Sequence, residues 1–262
     1  MKIGVFDSGF GGLTVLRALL ERVPADYIYL GDTARLPYGA KSRETVARYA
    51  VSSAKFLVEE QGAEFLVIAC NTASALALDA IAGAVKVPVL GVVETGANAA
   101  AANSKTGDVL VIATAATVES HAYAAACAER KLRAIEKACP LLVPLVEEGW
   151  IDSPVTAEVL RIYMAELMEQ AGGAGLDADT LVLGCTHYPL LRAQIEKAVP
   201  ETLKVIDSAE VTADQVAARL HLGGGTGATA KFFATDSVKK FRTLGSRFLG
   251  RAIDGVELVE LE

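Results

Sequence analysis

A chain of 262 residues is long enough for one large domain or two small ones. Its 52% hydrophobic content exceeds what a disordered chain carries and is enough to fill substantial cores. A net charge of −7 and only 6% aromatic residues argue against nucleic acid and anionic lipid as partners.

The predicted elements alternate along the chain. A strand over 2–6 runs straight into Asp7, Ser8 and a glycine-rich turn, and the following helix over 12–22 sets Leu13, Leu16, Leu19 and Leu20 on one side. A strand over 27–30 leads through Asp32 to the turn Pro37-Tyr38-Gly39, and a helix is expected over 43–60. The strand over 65–69 ends on Cys70, and another covers 87–92. Further strands are read at 108–113 before Thr114, at 141–146 before Glu147 and Glu148, at 180–183 before Cys185, and at 204–206. The stretch 223–229 reads as a glycine- and threonine-rich loop, followed by a strand over 231–235 and a helix over 236–249.

Strands of nearly continuous Val, Ile and Leu between amphipathic helices predict an α/β fold of parallel sheets covered on both faces. Right-handed crossovers then gather the strand C-termini along one edge of each sheet. No apolar run approaches the length of a membrane span. The opening residues lack the apolar region of a secretory signal, so a cytoplasmic location is expected. Four cysteines, at 70, 127, 139 and 185, form no CxxC pair, and reduced thiols are expected.

Two halves of the chain overlay. IGVFDSG corresponds to VLVIATAAT, YIYLGDT to LLVPLVEEG, FLVIACNTAS to TLVLGCTHYP, and PVLGVVETG to KVIDSAEVT. Each third member places a cysteine just beyond a strand. The expected architecture is two pseudo-symmetric lobes, each a mostly parallel sheet flanked by helices, with the active site in the cleft between them. The first lobe would comprise 1–95 plus 209–262 and the second 96–208, the tail returning to the first.

The residues that could do chemistry lie at these strand ends. Asp7-Ser8-Gly9-Phe10-Gly11-Gly12 fits neither the dinucleotide fingerprint nor a P-loop; it is either a tight turn or a cradle for a small carboxylate. Tyr38 and Gly39 form a turn that could close over a ligand. Cys127 and Cys139 sit in helical or loop sequence and read as small core residues. Cys70, before Asn71 and Thr72, and Cys185, before Thr186 and His187, differ in standing at the sheet edges. Two thiols from opposite lobes could flank one carbon and move a proton from one face to the other; two structural cysteines would give the same pattern. Zinc on Cys70, Cys185 and His187 fits no common ligand spacing. A Cys185–His187 nucleophile pair stays open, as in a cysteine hydrolase, and so does a two-lobed protein that binds an acidic amino acid without reacting it. His121 and His221 fall in helical patterns and are poor candidates. Glu147 mirrors Asp32, although most such acids are simply solvated. Thr114 and Thr117 either supply hydroxyls or cap a helix.

Taken together, GVFDSGFGGLTVLRAL, LGDTARLPYG, IACNTASA and LGCTHYPLL closely resemble the glutamate racemase family of the aspartate/glutamate racemase superfamily. The resemblance runs from the first residues to about Ser208, and the final strand and helix fit it as well. Glu94-Thr95-Gly96 departs from the family's Glu-Pro-Gly, at what reads as a loop. The resemblance implies no pyridoxal phosphate, flavin or metal. It makes Cys70 and Cys185 the paired acid and base at Cα of glutamate, with Cys70 attending the D and Cys185 the L enantiomer. Asp7 and His187 would help deprotonate and orient them, with Glu147 assisting. Substrate would be held by Asp7, Ser8, Tyr38, Gly39, Asn71, Thr72, Thr114, Thr117, Thr186 and His187. Hinge motion at 93–96 and near Ser208, a homodimer, and D-glutamate supplied for peptidoglycan complete the expectation. Aspartate and hydantoin racemases are the nearest rivals.

Overall fold

The computed structural model describes residues 1–221 and 228–261; most of the predicted glycine-rich loop therefore lies outside the described residues. β1 (Lys2–Asp7), β2 (Asp26–Gly31), β3 (Phe65–Ile68) and β4 (Val89–Gly91) alternate with α1 (Leu13–Arg22), α2 (Arg43–Lys55) and α3 (Asn71–Ala84). After α4 (Val92–Asn103) the scheme repeats. β5 (Asp108–Ala113) is followed by α5 (Ala115–Glu119) and α6 (Ala122–Glu129), and β6 (Arg133–Ala138) by α7 (Leu142–Glu147) and α8 (Pro154–Gly173). β7 (Thr180–Gly184) is followed by α9 (Arg192–Ala198), and β8 (Lys204–Asp207) by α10 (Ser208–Leu220). The tail carries β9 (Thr229–Ala234), α11 (Val238–Leu249) and β10 (Glu257–Leu258).

The strands form two parallel sheets, one ordered β10-β9-β2-β1-β3-β4 and the other β6-β5-β7-β8. The tail strand β9 pairs with β2. Remove β9 and β10, and the two sheets have the same strand order. In each, the chain winds outward in both directions from the first and third strands of the set. That reversal leaves a crevice at their C-terminal ends, where ligands settle in open α/β sheets. β1 and β3 open the crevice with Ser8 and Cys70; β5 and β7 open the matching one with Thr114 and Cys185. The site is positioned by topology before any side chain is considered.

The central strands are buried on both faces: Ile3, Val5 and Phe6 of β1 and Val109 to Ile112 of β5 are inaccessible to solvent. α1 lays Leu13, Val15, Leu16 and Leu19 on the first sheet. On the opposite face Gly4 permits close packing, because a Cβ at this position would stand 2.5 Å from Leu66 Cδ2 and close to Ala63 and Leu57.

Two predicted elements differ. The run 141–146 is not a strand; Leu142–Glu147 is the short helix α7. The real partner of β5 is Arg133–Ala138, an edge strand whose Arg, Glu and Lys side chains interrupt the apolar pattern. Glu94-Thr95-Gly96 is likewise not a loop but part of the first turns of α4, and Thr95 Oγ1 lies 2.7 Å from Thr212 Oγ1 of α10. His121 and His221 flank helices instead of lying within them, both in left-handed backbone conformation.

Candidate active site

The two crevices face each other around a cavity of about 310 Å³. Its wall includes Ser8, Tyr38, Gly39, Cys70, Asn71 and Thr72 from the first sheet, and Thr114, Glu147, Cys185, Thr186 and His187 from the second. Of the sequence-predicted residues, Asp7 and Thr117 stand behind this wall. Thr117 is fully buried, and its hydroxyl lies 2.9 Å from that of Thr114, the N-cap of α5. The Thr72 hydroxyl lies 3.0 Å from Thr114 Oγ1, joining the two sheets through hydroxyl groups.

Cys70 is the N-cap of α3, and its Sγ accepts from the Ala73 N–H at 3.4 Å and lies 3.3 Å from Ser8 Oγ. Burial, with the Asp7 carboxylate adding to it, pushes its thiol up to about 12, against the pull of those hydrogen bonds. Asp7 is itself pushed up by burial, which the charge of His187 and the backbone N–H groups of Gly12, Gly9 and Ser8 only partly offset. One of its oxygens accepts from Gly9 N at 2.9 Å, while among the described residues Oδ1 is buried without a hydrogen bond of normal geometry, the Tyr29 hydroxyl standing nearby. An unpartnered buried carboxylate oxygen is costly, and its natural complement is a cationic donor.

A second orphan points the same way. Asn71 Oδ1 accepts from the Tyr123 hydroxyl at 2.6 Å, which aims the amide, while Nδ2 is buried and unpartnered at the N-terminus of α3. A carboxylate placed there would meet this donor and the helix's free N–H groups. Asn71→Ala is expected to leave the Tyr123 hydroxyl unpaired and to cost about 1–3 kcal/mol of stability. Urea unfolding of Asn71→Ala, with Tyr123→Phe as the reciprocal variant, checks this.

Cys185 Sγ lies 3.9 Å from His187 Nδ1, and His187 Nε2 lies 3.3 Å from Glu147 Oε1. Burial alone would lower the imidazole pKa; hydrogen bonds to Cys185 and Glu147 outweigh it and hold it up to about 10. Burial likewise raises the Glu147 carboxyl, but the His187 and Lys240 contacts bring it below the ordinary value. A histidine raised from 6.5 to about 10 stabilises the fold fully below 6.5 and loses that contribution as pH rises through 10. The stability difference between wild type and His187→Asn should therefore shrink between pH 7 and 10, as read by urea titrations across that range.

Three further observations refine the site. The Tyr38 hydroxyl donates to Asp32 Oδ2, so Tyr38 offers the cavity its ring, and Asp32 pins the loop through Arg35 and Thr235 as well. A Cβ on Gly11 would collide with Thr186 Oγ1 and the His187 ring, so only glycine lets the β1 loop pack against these two residues. Cys127 and Cys139 are fully buried, with thiols pushed up to about 11 and about 12 by burial, as expected of core residues. Sequence reasoning missed the apolar lining, namely Phe10, Leu36, Pro37, Pro140, Val143 and Pro144. The last three flank or belong to α7, whose apolar run had resembled a strand. Among the described residues no group of three or more His, Cys, Asp or Glu is placed to hold a metal ion.

Fold and site together define a two-sheet α/β protein whose cleft mixes polar strand-end residues with apolar walls and is flanked by two reduced thiols, one at the same strand end of each sheet. Residues 3–216 match the family described as Asp/Glu/Hydantoin racemase. A glutamate racemase of Koribacter versatilis is 53% identical, covering 99% of this chain and 97% of its own. A crystal structure of a glutamate racemase from Bacillus anthracis superposes with a TM-score of 0.91 at 37% identity, covering 98% of this chain and 97% of that one. One from Francisella tularensis in complex with D-glutamate gives 0.89 at 34% identity, covering 99% and 97%. The chain belongs to the Asp/Glu/hydantoin racemase family.

Proposed function

We propose that this chain is a glutamate racemase that interconverts L- and D-glutamate by moving the Cα proton between Cys70 and Cys185. The observation that carries the reading is the placement of these two thiols. Each is 5% exposed, each follows the third strand of its sheet's set, and both border one cavity. The named relatives support glutamate as the substrate.

One sulfur, as thiolate, removes the proton, while the other, as thiol, donates to the opposite face; the roles reverse for the other enantiomer. Cys70 serves the D enantiomer and Cys185 the L. On the first side, the Asp7 carboxylate behind the wall draws the substrate ammonium toward Cys70, and that positive charge favours the thiolate. On the second, His187 exchanges a proton with Cys185 while Glu147 holds the imidazole. Asn71, Thr72 and Thr114 form one donor cluster for carboxylate, helped by Thr117 from behind. Ser8 and Thr186 supply donors for the other, and the backbone of Tyr38 and Gly39 lies beside Thr114. These preorganised donors stabilise charge spreading from Cα in a cleft that excludes water, and the mechanism calls on no cofactor.

The lobes of this proposal are 1–95 with 209–262, and 96–208. They divide within the first turns of α4 and at the start of α10, and hinge motion at 93–96 and near Ser208 would open the cleft. A homodimer in a bacterial cytoplasm, supplying D-glutamate for peptidoglycan, is the biological setting proposed. Among the described residues no helix is long and apolar enough to cross a membrane.

Circular dichroism of L-glutamate, D-glutamate and L-aspartate incubated with purified protein tests the substrate. Both glutamate signals should decay to zero while aspartate persists. Faster loss of the aspartate signal would reassign the substrate, and no loss with either would overturn the racemase reading.

A further inference from the structure

α11 follows β9 of the first sheet, yet three of its side chains reach the second thiol's surroundings. Lys240, in its first turn, places Nζ 3.4 Å from Glu147 Oε2 and 5.6 Å from the centre of the Phe10 ring. Arg247 lies over Gly149, just past the end of α7; a Cβ on that glycine would stand 2.9 Å from Nη1. Phe248 meets the His187 imidazole edge-on, with ring centroids 5.0 Å apart.

The oxygens of Glu147 are thereby divided, with Oε1 facing His187 Nε2 at 3.3 Å and Oε2 facing Lys240. An ammonium on the outer oxygen keeps the carboxylate ionised and fixes its plane, leaving the inner oxygen to accept from the imidazole. A continuous chain, Lys240–Glu147–His187–Cys185, thus runs from the half-exposed ammonium to the second sulfur. Among the described residues no such chain ends on Cys70: Asp7 and Ser8 support it from within its own sheet, and the Arg35–Asp32–Tyr38 contacts stop at the Tyr38 hydroxyl.

We propose that Lys240 is a positioning residue for proton transfer at Cys185, acting through Glu147 and His187. The inference rests on the two-thiol reading above, and it predicts an effect on one half of the reaction only. A strut that merely held α11 in place would slow both halves alike.

The two enantiomers have equal free energy, so kcat/KM is the same in both directions for any variant. What differs is which proton transfer limits the rate. That is read from the primary isotope effects on kcat/KM with α-deuterated L- and D-glutamate, the L form losing its deuteron to Cys185 and the D form to Cys70. Lys240→Met is expected to lower kcat/KM about fivefold, the scale of a half-exposed ion pair. The isotope effect should rise with L-glutamate and fall with D-glutamate. Lys240→Arg should restore both, and Lys239→Met, on the same exposed stretch of helix, should match wild type. The proposal is overturned if Lys240→Met stays within twofold of wild type, if its isotope effects move together or not at all, or if Lys239→Met behaves the same way. Wild-type protein that fails to racemise glutamate would instead remove the two-thiol reading beneath it.

Discussion

Cys70→Ser and Cys185→Ser are each expected to abolish racemisation in both directions, a loss of at least about 10³-fold, at the upper end for a general acid or base. A serine hydroxyl is far less acidic than a thiol, so the missing group serves neither as base nor as ready donor, and one competent face cannot complete an inversion. The fold should survive both changes. Each side chain is 5% exposed, and a hydroxyl at 70 can keep the Ser8 and Ala73 contacts. Cys127→Ser and Cys139→Ser provide the contrast. Their thiols are fully buried away from the cavity wall, so these variants should lose stability and keep turnover. Racemisation assays paired with urea unfolding on all four variants distinguish the working thiols from the packed ones.

Asp7→Asn is the second large effect, and here activity and stability move in opposite directions. Burial raises the Asp7 pKa above its unfolded value. Its contribution to stability is therefore full below the unfolded pKa of 3.8 and is lost as pH rises through the folded value, because burying the carboxylate charge opposes folding. An asparagine of the same shape removes that charge while its carbonyl still accepts from Gly9 N. The variant should melt a few degrees higher at pH 7 and lose that advantage near pH 3. It should also lose about 10²–10³ in kcat, because the acceptor for the substrate ammonium and the support for Cys70 go together. Such a trade marks a site held in a strained electrostatic state for function. A lower melting temperature with full activity would show Asp7 to be structural.

The parts legible in the sequence are those that burial on both sides forces into plain view. β1, β3, β5 and β7 are nearly unbroken apolar runs, and the polar residues that follow them, Ser8, Cys70, Thr114 and Cys185, stand out by contrast. β6 does not, because an edge strand shows one side to solvent and spaces Arg133, Glu136 and Lys137 among its apolar residues. α7 fails for the opposite reason. Its six residues are mostly apolar because it lines a cavity, and a run that short fits either periodicity. The part of the apolar wall formed by Pro140, Val143 and Pro144 is hidden with it. Lys240 carries no local signal at all; a lysine on a helix surface becomes informative only once α11 is seen against Glu147.

The most direct measurement follows L-glutamate with the purified protein in D2O, by circular dichroism and by proton NMR at Cα. If Cys70 and Cys185 carry the proton, optical activity decays while the Cα proton signal is replaced by deuterium. D-glutamate formed early in the reaction already carries the solvent isotope; inversion stops in both Cys70→Ser and Cys185→Ser, and exchange into L-glutamate stops in Cys185→Ser. Inversion that persists in either variant, or folded, reduced wild-type protein that neither inverts nor exchanges glutamate, would contradict two-thiol proton transfer.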